Sequence, residues 1–319
     1  MEPIKTIPPA EIAAARARLA DIAVRTPLVR LAVDDRPGEI WLKLENLQPI
    51  GSFKLRGAGN AMRLAGAERL AQGVYTASAG NMAQGVAWVA RALGVPCTVI
   101  VPDTAPRTKL DAIERLGGAI VPVPFERWWQ VIQEHQYPGM RGLFIHPVSD
   151  PAVIAGNGTI GLEILDDLPD VDTVLVPYGG GGLSAGIASA LRAHRPEAKV
   201  YACEVETSTP LTASFAADLP MSVERIPSFV DGIGGKSVLP EMWPLAKALL
   251  AGTRVVSLRQ IADAITLLVE RNRVVAEGAG AAPVAAALAA PGGGKVVCVV
   301  SGGNLDTATL RTILSGDLP

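Results

Sequence analysis

Two spacings of apolar residues alternate along the chain. In one, they follow the period of a strand, as at Ile40, Leu42 and Leu44, or form short buried-type runs at 74–77, 97–101, 120–123, 143–145, 174–177, 199–204 and 295–300. In the other they fall three or four apart, as at Val86, Val89, Ala90 and Leu93, and this second spacing predicts helices between the strands. Helices are expected at 11–24, from Asn81 to Gly94, after Ala105-Pro106, at 125–135, 153–165 and 183–193, and from Ser257 to Arg271, the last opening with the capping-box pattern Ser257-Leu258-Arg259-Gln260. Strands alternating with helices predict βαβ units and parallel sheets, hence an α/β fold. The stretch 207–242 breaks the rhythm and is rich in turn formers.

One transition stands apart. The strand ending at Leu44 runs into Glu45-Asn46-Leu47-Gln48-Pro49-Ile50-Gly51, and a helix is expected to begin at Ser52, whose hydroxyl suits an N-cap. Lys54 then falls in the first helical turn, where free N–H groups and the positive end of the helix dipole oppose an ammonium charge. Such a lysine deprotonates more readily than a solvated one, and a neutral amine can attack an aldehyde. A solvated helix lysine is the plainer reading, so the rest of the chain decides.

Composition narrows the classes. With 319 residues, 49% hydrophobic and 19% charged, the sequence describes compact α/β structure with one or two cores. A net charge of -2 with scattered basic residues gives no footprint for nucleic acid or an anionic membrane. The N-terminus lacks a signal-peptide pattern and no run is apolar enough to span a bilayer, so a cytoplasmic location is expected. Cys97, Cys203 and Cys298 lie far apart in apolar runs and read as reduced core residues. His135, His146 and His194 are dispersed in sequence, which argues against a histidine zinc site, and no metal is expected. Trp128 and Trp129 read as core or interface residues.

In open α/β sheets ligands bind beyond the C-terminal ends of the strands. The turn bearing Lys54, the segment Ser78-Ala79-Gly80-Asn81, the run Gly179-Gly180-Gly181-Gly182 and the segment Ser301-Gly302-Gly303-Asn304 all fall at such ends. The glycine run joins a strand to a helix, so several amides can approach one phosphate without side-chain obstruction. A nicotinamide-dependent oxidoreductase is the rival, because Gly180, Gly182 and Ala185 can be forced into a dinucleotide fingerprint. That run lies mid-chain, and Glu204 is the one acidic residue placed to follow it.

Taken in order, Ser52-Phe53-Lys54-Leu55-Arg56-Gly57-Ala58, Ser78 to Asn81, the glycine run, Phe229-Val230-Asp231-Gly232-Ile233 and Ser301 to Asn304 give a chain that resembles the fold-type II pyridoxal-phosphate enzymes, and among them the threonine/serine dehydratases (ammonia-lyases). The resemblance covers about Pro27 to Asp306. It implies two open parallel-sheet α/β domains of the tryptophan synthase β-like architecture: a large cofactor-binding domain of residues 1–47 and 151–319, and a small domain of residues 48–150 that carries the lysine and the substrate-carboxylate loop. It also implies pyridoxal 5'-phosphate as cofactor, a small-molecule amino acid as substrate and a homodimer.

Residue by residue, the resemblance makes Lys54 the Schiff-base lysine and the base at Cα. Phe53 packs on the cofactor ring and Asn81 binds its hydroxyl, while the amides of Gly179, Gly180, Gly181, Gly182 and Leu183 hold the phosphate and Ser301 faces the pyridine nitrogen. Ser78, Ala79, Gly80, Asn81 and Asp231 fall at the substrate. A neutral hydroxyl at the ring nitrogen favours elimination over a long-lived carbanion. The implied reaction expels a β-hydroxyl as water from threonine, serine or a related amino acid and ends in a 2-oxo acid and ammonia. A β-replacement synthase, similar to cysteine synthase, is the alternative within the cofactor class. With no histidine in a motif, the cofactor phosphate rather than a side chain is expected to help protonate the leaving group.

The chain also departs from the pattern. Ala79 stands where racemases of the family carry a second serine, which argues against racemisation. Met82, Tyr178 and Glu277-Gly278-Ala279-Gly280 differ from the residues usual at their places. Glu204 matches a cation ligand of some members, but Pro210 occupies the place of the second carboxylate. The chain closes soon after the last motif, so a C-terminal regulatory domain is not expected.

Overall fold

The structure is a computed structural model, and it describes residues 2–34, 38–290 and 293–319. Its strands are β1 (Leu28–Arg30), β2 (Glu39–Leu44), β3 (Val74–Ala77), β4 (Cys97–Pro102), β5 (Gly118–Val123), β6 (Leu143–Phe144), β7 (Thr173–Pro177), β8 (Lys199–Val205), β9 (Gly252–Val256) and β10 (Lys295–Val300). They form two sheets. A four-stranded sheet of order β5-β4-β3-β6 is parallel throughout. A six-stranded sheet of order β1-β2-β10-β7-β8-β9 is parallel except at one edge, where β1 pairs antiparallel with β2 and makes the sheet mixed. Helices cover the faces, which is why β3 is buried at every position and β7 and β10 at most of theirs.

The helices follow the expected pattern with informative exceptions. Ser257 accepts from Gln260 N and the Gln260 side chain answers, completing the capping box of the helix Leu258–Leu267, but the last turn, Leu268–Asn272, loosens into a π-helix. Gly94 ends Asn81–Leu93 in the left-handed conformation. Ser52 is no cap. The helix Lys54–Leu70 is preceded by Phe53 with no side-chain cap, because Ser52 is drawn into an isolated bridge with Gly302. The irregular stretch contains a helix, Pro210–Ala217, whose first amides are capped from outside: Glu204 Oε1 accepts from Leu211 N at 2.8 Å and Oε2 from Thr212 N at 2.8 Å. Glu204 thus serves as the cap of this helix.

The three cysteines are free and buried. Histidines dispersed in sequence do meet: His135 and His146 stack with ring centroids 4.0 Å apart. Among the described residues no group of three metal-ligating side chains forms, and no helix is long and apolar enough to cross a membrane.

A buried charge network ties the transition at Lys54 to the large sheet. The Arg56 guanidinium donates to Glu45 Oε2 at 2.8 Å and to Glu163 Oε1 at 2.7 Å, while Lys43 Nζ donates to Glu163 Oε2 at 2.6 Å. All of these residues are at most 5% exposed. Lys43 comes from β2, Glu163 from the helix Pro151–Asp167 and Arg56 from the helix that begins at Lys54. With two cations and two carboxylates the network is neutral and hydrogen-bonded, the condition under which buried charge is tolerated.

Candidate active site

Parallel pairing of β2 with β10 sets Leu44 opposite Val300, so the chain leaving both strands enters the same place. There Phe53 N donates to Ser301 O at 3.0 Å and Gly303 N to Gly51 O at 2.9 Å. β7 lies on the other side of β10 and delivers the glycine run beside them. The end of β3 in the small sheet faces this cluster. Between the sheets lies a cavity of about 780 Å³. Every residue expected at the site borders it: Phe53 and Lys54, Ser78 to Asn81, Gly179 to Leu183, Asp231 and Ser301.

The helices that open on this cavity, at Lys54, Asn81 and Gly182, have no side-chain cap. Uncapped amides and the positive helix ends make the cavity a receptor for anionic groups. The glycine turn is the sharpest case. Among the described residues no carbonyl accepts from the amides of Gly179, Gly180 or Gly181. Gly181 sits at φ +94°, and a Cβ on Gly180 would lie 2.5 Å from Val148 Cγ2. The turn is therefore built on bare backbone. Beneath it Tyr178 is buried, its hydroxyl without a partner among the described residues and its ring against Gly181.

Lys54 Nζ donates to Pro147 O at 2.8 Å and lies 5.2 Å from the centroid of the Phe53 ring. Its surface is partly open to the cavity, yet the surrounding walls exclude enough water to bring its pKa down to about 8, against the opposing charge of Glu277. The loop that supplies Pro147 is shaped by His146. Its Nδ1 accepts from Val148 N at 3.1 Å and Ser149 N at 2.7 Å, which leaves Nε2 to donate to Ile132 O at 3.0 Å. Burial, the stacked His135 and the charge of Lys54 bring His146 down to about 3, so it is a neutral structural residue.

Glu277 was visible in the sequence only as part of a variant motif. It is 6% exposed, borders the cavity and accepts from Asn81 Nδ2 at 2.8 Å. Burial and nearby Asp231 push its carboxyl up to about 7, against the Asn81 hydrogen bond and the charges of Lys109 and Lys54. Asp231 pairs with Lys109, and both border the cavity. Trp128 packs with Phe125 and Trp129 as expected of a core residue, and its edge also borders the cavity.

The residues fit pyridoxal phosphate: an amine whose pKa is brought down to about 8, bare amides in a glycine turn for a phosphate, a stacking ring, an amide and a hydroxyl converge on one cavity. The comparisons agree. The family model described as pyridoxal-phosphate dependent enzyme matches residues 19–302. An L-threonine ammonia-lyase of Thermotoga maritima is 40% identical over 315 residues, which cover 97% of this chain and 78% of the relative. The processed form of threonine deaminase isoform 2 from Solanum lycopersicum superposes with a TM-score of 0.86 at 30% identity, covering 96% of this chain and 87% of the other. Maize serine racemase superposes at 0.85 with 30% identity over 98% of both chains. The bare-amide turn, the amine of lowered pKa and the match along most of its length together place this chain in the family of pyridoxal-phosphate dependent enzymes.

Proposed function

We propose that the protein is an ammonia-lyase that removes the β-hydroxyl of a β-hydroxy-α-amino acid such as threonine or serine and releases a 2-oxo acid and ammonia. The observation that carries this is Lys54, an amine with a pKa brought down to about 8 that shares one cavity with the glycine turn. Bound pyridoxal phosphate supplies the electron sink that lets the Cα–H bond break. Lys54 Nζ holds the cofactor and, once free, takes the Cα proton. Phe53 would lie against the ring, the amides of Gly179 to Leu183 would hold the phosphate, Asn81 would donate to the ring oxygen and Ser301 would meet the ring nitrogen. The loop Ser78 to Asn81 would face the substrate carboxylate; the Ser78 amide is spent on Ile100 O and the Gly80 amide on Ser78 Oγ, which leaves the amides of Ala79 and Asn81 as donors at the helix start. Ala79, also on the cavity, carries no hydroxyl to deliver a proton to the opposite face, which favours elimination over racemisation. Asp231, paired with Lys109 at the cavity, is assigned to the substrate.

The organisation proposed with it is a small domain of residues 48–150 set into a large one of 1–47 and 151–319. The partition of β3 to β6 into their own sheet supports it. A cytoplasmic homodimer is the proposed working form, as family resemblance and the general preference for two-fold assemblies suggest. Borohydride reduction followed by peptide mapping tests the core of the reading: a phosphopyridoxyl group is expected on Lys54, and its appearance on another lysine overturns the assignment. Screening serine, threonine, hydroxyaspartate and aryl-serines for ammonia release identifies the side chain accepted. Incorporation of an added thiol in place of ammonia release would instead indicate a β-replacement synthase.

A further inference from the structure

The orientation of the Asn81 side chain is determined by a directional chain of hydrogen bonds. Asn304 Nδ2 donates to the carbonyl of Ile50 at 2.9 Å, and a backbone carbonyl can only accept, so that atom of Asn304 is the nitrogen. The same Nδ2 lies 2.7 Å from Asn81 Oδ1, to which it gives its second hydrogen. The Asn81 oxygen is thereby fixed. Its Nδ2 then points at Glu277 Oε1, 2.8 Å away, and spends one N–H there. Glu277 is itself anchored, because its backbone N donates to Gly302 O at 3.0 Å. Among the described residues, one N–H of Asn81 is left without a protein acceptor, on a residue that borders the cavity. The chain joins separate segments: the turn before Lys54, the end of β3, the start of the helix Gly278–Ala289 and the end of β10.

We infer that Glu277 and Asn304 are positioning residues, which hold the Asn81 amide in one orientation so that its remaining N–H serves as donor to the ring oxygen of the cofactor. The inference rests on the proposed reading of the cavity as a pyridoxal-phosphate site and adds to it the residues that prevent the amide from flipping. A flipped Asn81 would turn an oxygen toward a ring oxygen and lose the bond. Protonation does not release the lock. A neutral Glu277 still keeps one oxygen able to accept, so the role depends on an acceptor and not on a charge.

The test compares Asn81→Ala, Asn304→Ala, Glu277→Leu and Glu277→Gln as holoenzymes, reading the balance of long- and short-wavelength visible bands of bound pyridoxal phosphate against pH, and cofactor retention in dialysis. Asn304→Ala and Glu277→Leu are expected to move the band balance in the direction of Asn81→Ala and to weaken retention on the order of tenfold, the effect of one hydrogen bond. Glu277→Gln, which keeps an oxygen facing Asn81, is expected to stay within about twofold of the parent. The inference falls if Asn81→Ala shifts the bands while Asn304→Ala and Glu277→Leu do not. It also falls if Glu277→Gln shifts them as far as Glu277→Leu, since charge would then be the operative property. Asn304 is exposed, so Asn304→Ala remains informative should Glu277→Leu fail to fold. If Asn81→Ala leaves the spectrum unchanged, both the lock and the place of Asn81 at the ring are overturned, while the borohydride mapping of Lys54 independently decides the reading on which they rest.

Discussion

Arg56→Leu removes the centre of the buried charge network while roughly conserving apolar bulk. Arg56 donates to both oxygens of Glu45, at 2.8 and 2.9 Å, and to both of Glu163, at 2.7 and 2.9 Å, with Thr159 Oγ1 and Val24 O completing its contacts. Glu163 retains Lys43 in the variant, but Glu45 retains only the Thr26 hydroxyl and Gln48 Nε2. The network goes from neutral to one negative charge in a site closed to water. Breaking a buried pair in this way costs about 3–5 kcal/mol, which lowers the thermal midpoint by roughly 6–20 °C for a domain of ordinary size. The pH dependence gives a sharper signature. Burial alone would raise the Glu45 pKa, yet the charge and hydrogen bonds of Arg56, with Thr26 and Lys43, hold it below the usual carboxylate value. A depressed carboxylate contributes stability above its unfolded pKa and loses it as pH falls through the folded one. Without Arg56 the burial effect dominates and the sign reverses: ionised Glu45 destabilises at neutral pH, and protonation relieves it. The deficit measured by differential scanning calorimetry should therefore be largest near neutrality and shrink toward about pH 5. A loss below about 1 kcal/mol, or one that does not vary with pH, would refute the claim that Arg56 compensates buried charge.

Three further outcomes follow from the site. Lys54→Ala is expected to abolish 2-oxo acid formation while the far-ultraviolet circular dichroism stays unchanged, because only one partner, Pro147 O, loses a hydrogen bond. In cofactor-free protein the rate at which Lys54 captures pyridoxal phosphate should rise with pH and level off above about 8, well below the 10.5 of an ordinary lysine; stopped-flow absorbance reads the midpoint, and a rate still climbing at the higher value would contradict the burial of the amine. Gly181→Ala places a Cβ 3.0 Å from Tyr178 Cε2 on a residue at φ +94°. A strain of about 1–2 kcal/mol should appear as roughly five- to thirtyfold weaker cofactor binding in equilibrium dialysis, if the turn holds the phosphate.

What could be read from the sequence were the features with a local cause. Strand and helix periods located most elements because each period follows from which side of the backbone must be buried. Where burial is total or uneven the signal disappears: Gly278–Ala289 is apolar almost all round and shows no face, and the edge strand β9 is buried only at Val256. The loops that carry the site were legible for a similar reason, since glycine and uncapped helix starts after apolar strands are local signs of bare amides.

The tertiary structure decided everything that depends on long-range pairing. Ser52 looked like a cap and became a bridge to Gly302, because parallel pairing of β2 with β10 brings position 302 within reach. Glu204 looked like half of a cation site and became the cap of a helix that no local pattern announced. Lys43, Glu45, Arg56 and Glu163 read as ordinary charges until the fold removed them all from water together. The lowering of Lys54, expected from its place at a helix start, has burial as its cause, and the raised Glu277 likewise depends on burial that the fold supplies. The sequence alone determined which side chains and amides exist and the elements they ride on; desolvation and the meeting of groups up to more than two hundred residues apart, such as Asn81 with Asn304, were settled only when two sheets closed on one cavity.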